Sequence, residues 1–315
     1  MIQSVLKILT KTPTWLTVIL GSFLVVWQWF GNSISQEIQL ALFATLILLT
    51  GIPHGALDHL IQKEIDKHAR RKYNFWLFLL KYFFVMIIYG ALWYWSAGIS
   101  LFIFLVISAW HFGETDLEKI PTEATIWSFT RLIYGFYILA FILLTHADEV
   151  NPIIEQMIGS QSVVLKYWQF VQQNVKQILY LLGLSLCTFF IVSQSEYFVQ
   201  FDKIRLFRLA FILICTIYLP LLPAFALYFG GWHALCAFDT IHEYLRKDRP
   251  FLSFKLVYLK ALPFTILSIL FLGGFLMYCH YINSQLSPFP ILFIFISLIT
   301  LPHLIISHQM NHQTK

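Results

Sequence analysis

Four histidines lie inside or at the ends of long apolar segments: His54 in GIPHGALDHL, His111 in SAWHFGETD, His233 in GGWHALCAFD and His303 in TLPHLIIS. A metal-seeking ring is costly in such surroundings unless it has a partner or a task. Acidic residues recur close by. On a helix Asp58 shares a face with His54, four residues before it. Glu114 and Asp116 come three and five residues after His111, and Asp239 six after His233. A carboxylate that accepts the second ring N–H is a usual outer support for a histidine ligand. The pattern reads as one metal site between helices, held by His54, His111, His233 and His303, with Asp58, Glu114 and Asp239 as assisting carboxylates. The plainer readings are polar helix ends for His54 and His111 and a satisfied core histidine for His303.

An imidazole-rich set with carboxylates nearby suits iron, zinc or copper. A site sunk in apolar chain favours a lipid-soluble substrate. Iron(II) with open positions can activate O2, whereas zinc hydrolysis needs a water path and a polar substrate. The other histidines read differently. His59 is expected in support or at the interface, and His242 and Glu243 at the interface. His68, His146 and His280 are expected at solvent or the membrane interface. His308 and His312 form an HxxxH pair in the polar tail QMNHQTK and read as solvated. Cys187, Cys215, Cys236 and Cys279 form no CxxC and read as small buried hydrophobes.

The elements that must carry these groups are transmembrane helices. Of 315 residues, 58% are hydrophobic and only 12% charged, and the mean hydropathy is +0.72. That excludes an ordinary soluble domain. Apolar windows long enough to span a bilayer, about 20 residues each, fall near 14–31, 37–53, 73–95, 97–112, 127–146, 175–195, 204–219, 222–243, 254–280 and 289–310. Two are short, so eight to ten spans are expected in one all-α integral-membrane domain covering 1–315. The run 204–243 is divided at Pro220 and Pro223. Residues 150–172 look amphipathic and are expected on the membrane surface. Lys7 and Lys11 before the first apolar run resemble a signal peptide, but without a small-residue cleavage site the segment reads as a retained first span.

Charge orients the chain. Sixteen of the 21 Lys and Arg fall in 1–13, 54–74, 112–126, 196–208, 244–255 and 311–315, against only Lys166 and Lys176 in the alternate segments. By the positive-inside rule both termini are cytoplasmic, which implies a multi-pass protein of the cell's inner (cytoplasmic) membrane. All four histidines then lie on inward-running helices, in the inner half of the bilayer. The net charge of +5 results from this bias, and no nucleic acid is implied.

At these residues the chain resembles the Brp/Blh-type β-carotene 15,15′-dioxygenase family, from about residue 35 to 310. The carriers are PHGALDH at 53–59, WHFGETD at 110–116, YFGGWHA at 228–234 and LPH at 301–303. The resemblance implies a membrane enzyme that uses Fe2+ and O2 to split the central double bond of β-carotene into two retinal molecules, with a rhodopsin as a possible recipient. It implies four histidine ligands, the last two as a His-x-x-x-His pair. His54, His111 and His233 match the first three. Ala237 stands at the fourth place, so His303, Asp239 or water would complete the shell. Trp110, Phe112, Tyr228 and Trp232 flank the ligands and are expected to line the substrate tunnel. The alternative is a non-catalytic carotenoid or retinal binder on the same scaffold. A di-iron hydroxylase would need several HxxxH and HxxHH boxes, and a transporter would need more intramembrane charge.

Overall fold

The computed structural model describes residues 14–31, 33–117, 124–159, 162–282 and 287–313, and among them it is helical without strands. The basic segment with Lys7 and Lys11 lies outside the described residues. The helices are α1 (Thr14–Phe30), α2 (Gln36–Leu46), α3 (Ile52–Gly55), α4 (Asp58–His68), α5 (Phe75–Trp95), α6 (Ala97–Asp116), α7 (Thr125–Thr145), α8 (Ala147–Ile158), α9 (Val163–Gln173), α10 (Val175–Glu196), α11 (Lys203–Ile217), α12 (Leu221–Ala226), α13 (Ala234–Arg246), α14 (Phe254–Ile282) and α15 (Pro288–Gln313). Two π-helical segments, Ile47–Gly51 and Leu227–His233, join α2 to α3 and α12 to α13.

Eight helical stretches are long and apolar enough to cross a membrane. The continuous stretch Leu221–Arg246 is 89% buried along its apolar window, whereas Val175–Glu196 is 0% buried and Phe75–Trp95 6%. One helix is therefore the hub, and others spend their apolar surface outward. Helices that are apolar all round belong either in a core or in lipid, and here both occur in one chain. α1 and α11 are shorter, and the eight-to-ten expectation holds. The break in 204–243 comes at Pro220, which caps α12. Pro223 sits in the first turn of that helix, where its missing N–H costs nothing.

Polar links tie the apolar helices together, as expected where the hydrophobic effect does not drive helix association. Tyr89 Oη donates to Ser100 O at 2.8 Å, Trp93 Nε1 to Ser297 Oγ at 2.8 Å, and Thr130 Oγ1 meets Ser193 Oγ at 2.7 Å. The basic segments meet at one end of the bundle. Lys67 Nζ reaches Asp248 Oδ2 at 2.6 Å, His68 Nε2 reaches the same oxygen at 3.0 Å, and Arg249 pairs with buried Glu64. The Lys67 hydrogen bond, with help from His68, holds the Asp248 carboxyl below its ordinary value.

Two histidines are placed differently from expectation. His146 is buried, with Nδ1 2.7 Å from Ile142 O and Nε2 2.8 Å from Leu219 O. His242 is also buried, and its Nε2 reaches Leu252 O at 2.9 Å. Each ring ties a chain reversal to a helix, a task its flanking residues do not announce. His280 and Glu243 are both exposed, in keeping with an interfacial place.

α6 and α7 cross so closely that only glycine fits. A Cβ on Gly113 would lie 2.1 Å from Arg131 O, and one on Gly135 would lie 1.8 Å from Ala109 O. This contact fixes the end of α6 that carries His111. Gly135→Ala is expected to force the helices apart, costing about 1–3 kcal/mol as overpacking does. Thermal unfolding of the detergent-solubilised protein checks this. Gly274→Ala, with nothing within 4 Å of the added carbon, should leave the midpoint unchanged.

Candidate metal centre

His54 lies in α3, one residue past Pro53 and three past the first π-helical segment. His233 is the last residue of the second π-helical segment. A π turn holds one residue more than an α turn and is a frequent mark of functional sites, because it rotates the residues beyond it. Here the two π segments pack on each other. Thr50 Oγ1 lies 2.6 Å from Leu46 O and 2.8 Å from Gly230 O, sharing its proton between them. A Cβ on Gly230 would meet Leu46 Cβ at 2.9 Å. The glycine pair thus permits close helix approach.

His111 comes from α6 and His303 from α15, the latter just after Pro302. All four rings are buried and converge. His54, His111 and His303 each offer a nitrogen within 4.8 Å of the others. The His233 ring centroid lies 4.8 Å from that of His111 and 5.6 Å from that of His54. Two nitrogens on one ion at about 2.1 Å each can be at most about 4.2 Å apart; His54, His111 and His303 come near that limit, and His233 stands beside them. His54 Nδ1, both ring nitrogens of His111 and of His233, and His303 Nε2 are buried without a hydrogen-bond partner. Buried polar atoms are normally paired. Four converging rings with orphaned nitrogens fit a metal ion, and an imidazole-only inner set fits iron, zinc or copper.

The carboxylates support this cluster differently from expectation. Asp58 does not pair with His54, because the helix is interrupted at Ala56 and Leu57 and the four-residue spacing no longer shares a face. Asp58 Oδ1 instead accepts from His303 Nδ1 at 2.7 Å, and its Oδ2 accepts from Tyr82 Oη at 3.1 Å. A carboxylate only accepts, so Nδ1 carries the proton and Nε2 presents its lone pair to the cluster. Glu114 turns away from His111, and its Oε1 accepts from His308 Nδ1 at 2.6 Å. His308 is therefore no part of a solvated tail. α15 continues to Gln313, anchored by buried Met310, and the Glu114 pair holds the end of α15 against α6. The exposed His312 stacks edge-on to His308, with centroids 4.3 Å apart. Asp239 is half-buried on α13. Six residues past His233, it points about 120° away around the helix.

One acid not chosen among the assisting carboxylates proves central. Asp116 Oδ2 accepts from Tyr134 Oη and from Tyr228 Oη, each at 2.9 Å, and its Oδ1 accepts from Trp232 Nε1 at 3.0 Å. It clamps the π segment that ends in His233. The signal was the second acid of WHFGETD, but the sequence could not tell which acid faces which helix.

A cavity of about 540 Å³ opens beside the histidines. His54, His111 and His303 line it, with Phe112 and Phe229 next to them. Three aromatics expected along it are placed elsewhere. Tyr228 and Trp232 are fully buried on Asp116, and Trp110 faces His308 at 6.0 Å between centroids. A polar-tipped aromatic in an apolar core turns its donor to the nearest acceptor, and Asp116 provides it. His59 does line the cavity, its ring tilted against Phe264 at 4.4 Å between centroids.

Asp58→Asn is expected to weaken metal affinity about 10–100-fold, as loss of an outer partner does. His303→Ala should remove a ligand and lower metal content further. Glu114→Gln should lower thermal stability while leaving metal content near the parent value. Metal analysis of the purified variants checks all three, and a loss of metal in Glu114→Gln equal to that in Asp58→Asn would refute this division of roles.

Residues 45–311 match the family described as Beta-carotene 15,15'-dioxygenase. A protein of that name from the uncultured marine bacterium 66A03 is 26% identical over 265 residues, which is 83% of this chain and 90% of that protein. No solved structure matches the chain. The family match covers most of the sequence and all four histidines, and on it the chain belongs to the β-carotene 15,15′-dioxygenase family.

Proposed function

We propose that this protein is a non-haem iron dioxygenase that cleaves the central double bond of β-carotene with O2, giving two molecules of retinal. The observation that carries this reading is a buried cluster of four imidazoles, three of which line an almost wholly apolar cavity. His54, His111, His233 and His303 are the ligands, with His303 on α15 taking the place that Ala237 leaves vacant on α13. When bound, Fe2+ supplies O2 activation at positions the imidazoles leave open.

The chain's own residues do the rest. Asp58 and Tyr82 hold His303 in one tautomer. Asp116 holds the backbone that presents His233. The apolar wall excludes water and aligns a polyene by shape, since β-carotene offers no polar handle. The overall change balances without further reductant: one C=C bond breaks, the O–O bond breaks, and each carbon becomes an aldehyde with one oxygen atom. The basic ends at 54–74 and 244–255 support a cluster in the cytoplasmic half of the inner membrane, with both termini inside. Retinal would leave into the bilayer, where a rhodopsin could receive it.

A second reading, a carotenoid or retinal binder without catalysis, rests on Ala237. Expression in a host that accumulates β-carotene, with iron and air, separates the two. Retinal should appear as β-carotene falls, and His54→Ala and His233→Ala should abolish it. The purified protein should carry about one iron per chain. Unchanged β-carotene, with well-folded and iron-free protein that retains the pigment, would instead establish the binder.

A further inference from the structure

Exposed residues line the cavity at two separate places. At one, α6 faces α9, and the lining residues Phe102 and Tyr167 are 65% and 68% exposed. At the other, α5 faces α14, and the lining residues Phe83, Leu267 and Phe271 are 46%, 53% and 53% exposed. All five side chains are apolar or aromatic, on helices long enough to cross a membrane or, for α9, on a short amphipathic helix. Both mouths therefore open to lipid.

α15 stands between them. Its lining residues Phe293, Ile296, Thr300 and His303 keep the spacing of one helix face, and Phe295 and Ile299 fall on the neighbouring face. Phe293 packs on Phe225 at 5.7 Å between centroids, and Phe295 on Phe271, beside the second mouth, at 5.9 Å. The cavity thus borders two faces of α15, with His303, His54 and His111 in its lining.

We infer that the cavity is a through-passage with two lipid-facing mouths, one on each side of the histidines, and that the two products of central cleavage leave by different mouths. The inference rests on the function proposed above. A symmetric polyene seated with its middle bond at the histidines directs its two end rings into opposite limbs. After the middle bond breaks, each aldehyde has its own ring ahead of it and a direct way out. Neither must cross the site to reach the other's exit.

The first mouth can be stapled. α6 and α9 already touch at Gly98 and Val164, where a Cβ on Gly98 would lie 3.5 Å from Val164 Cβ. That separation is within the disulfide range of about 3.5–4.5 Å. A ring can pass only if these helices part. The full-length, iron-loaded double variant Gly98→Cys/Val164→Cys is reconstituted in liposomes, loaded with β-carotene without oxygen, oxidised with diamide and then given O2. The expected result is one turnover, with about one retinal per chain in the lipid and about one retained on the protein. Steady turnover should fall at least tenfold, and reductant should restore it.

Release of both retinals at the parent rate would show that this mouth is not used, and retention of both would show a single shared mouth. Either result overturns the inference while the cleavage reading stands. A parent protein that makes no retinal overturns the cleavage reading itself. Should the reduced double variant fail to fold, Phe102→Trp and Leu267→Trp each narrow one mouth. Each should then give biphasic release, half fast and half slow, and single-phase release in both would overturn the proposal.

Discussion

The structure depends on holding four imidazoles together inside a bundle wrapped in apolar side chains. An ionised or unpaired group there is expensive. Six ring nitrogens among the four histidines lack a hydrogen-bond partner. A bound metal ion would satisfy one nitrogen of each ring at once. The polar groups nearby aim those rings or tie down the helices that carry them.

Three buried acids divide that labour. Asp58 fixes the ring of His303 across α4 and α15. Glu114 ties α6 to the far end of α15 through His308. Asp116 gathers three donors and locks the π segment before His233. Each carboxylate is paired where it lands. A buried ion is tolerable only with partners, and these pairings also cross between helices. The same contacts therefore set the packing of the bundle and the geometry of the site. The two π segments serve the same end, since each rotates a histidine inward at the cost of one irregular turn.

The abundance of Phe has two explanations, and both apply. Some of it faces outward, as Phe84 on α5, Phe129 on α7 and Phe207 on α11 do. Another part, with Phe112, Phe225 and Phe229, walls the cavity beside the histidines. An apolar wall offers an apolar ligand little to hold except shape.

The sequence by itself determined the class of fold, nearly every helix and the four histidines. Hydropathy over twenty-residue windows is a one-dimensional property, and the bilayer makes it decisive. A histidine in such a window stands out for the same reason, so His54, His111, His233 and His303 were legible before any contact was known. What each side chain faces was decided by tertiary structure. Asp58 seemed to belong to His54 because regular helical spacing was assumed, and the break at Ala56–Leu57 gave it to His303. Glu114 seemed to belong to His111 until His308, read as tail, arrived on a continuous α15. Tyr228 and Trp232 looked like tunnel walls, but their polar tips found Asp116. Helical periodicity predicts neighbours within a helix, whereas π turns, breaks and crossings set neighbours between helices. Those depend on contacts far apart in the chain, which no local pattern records.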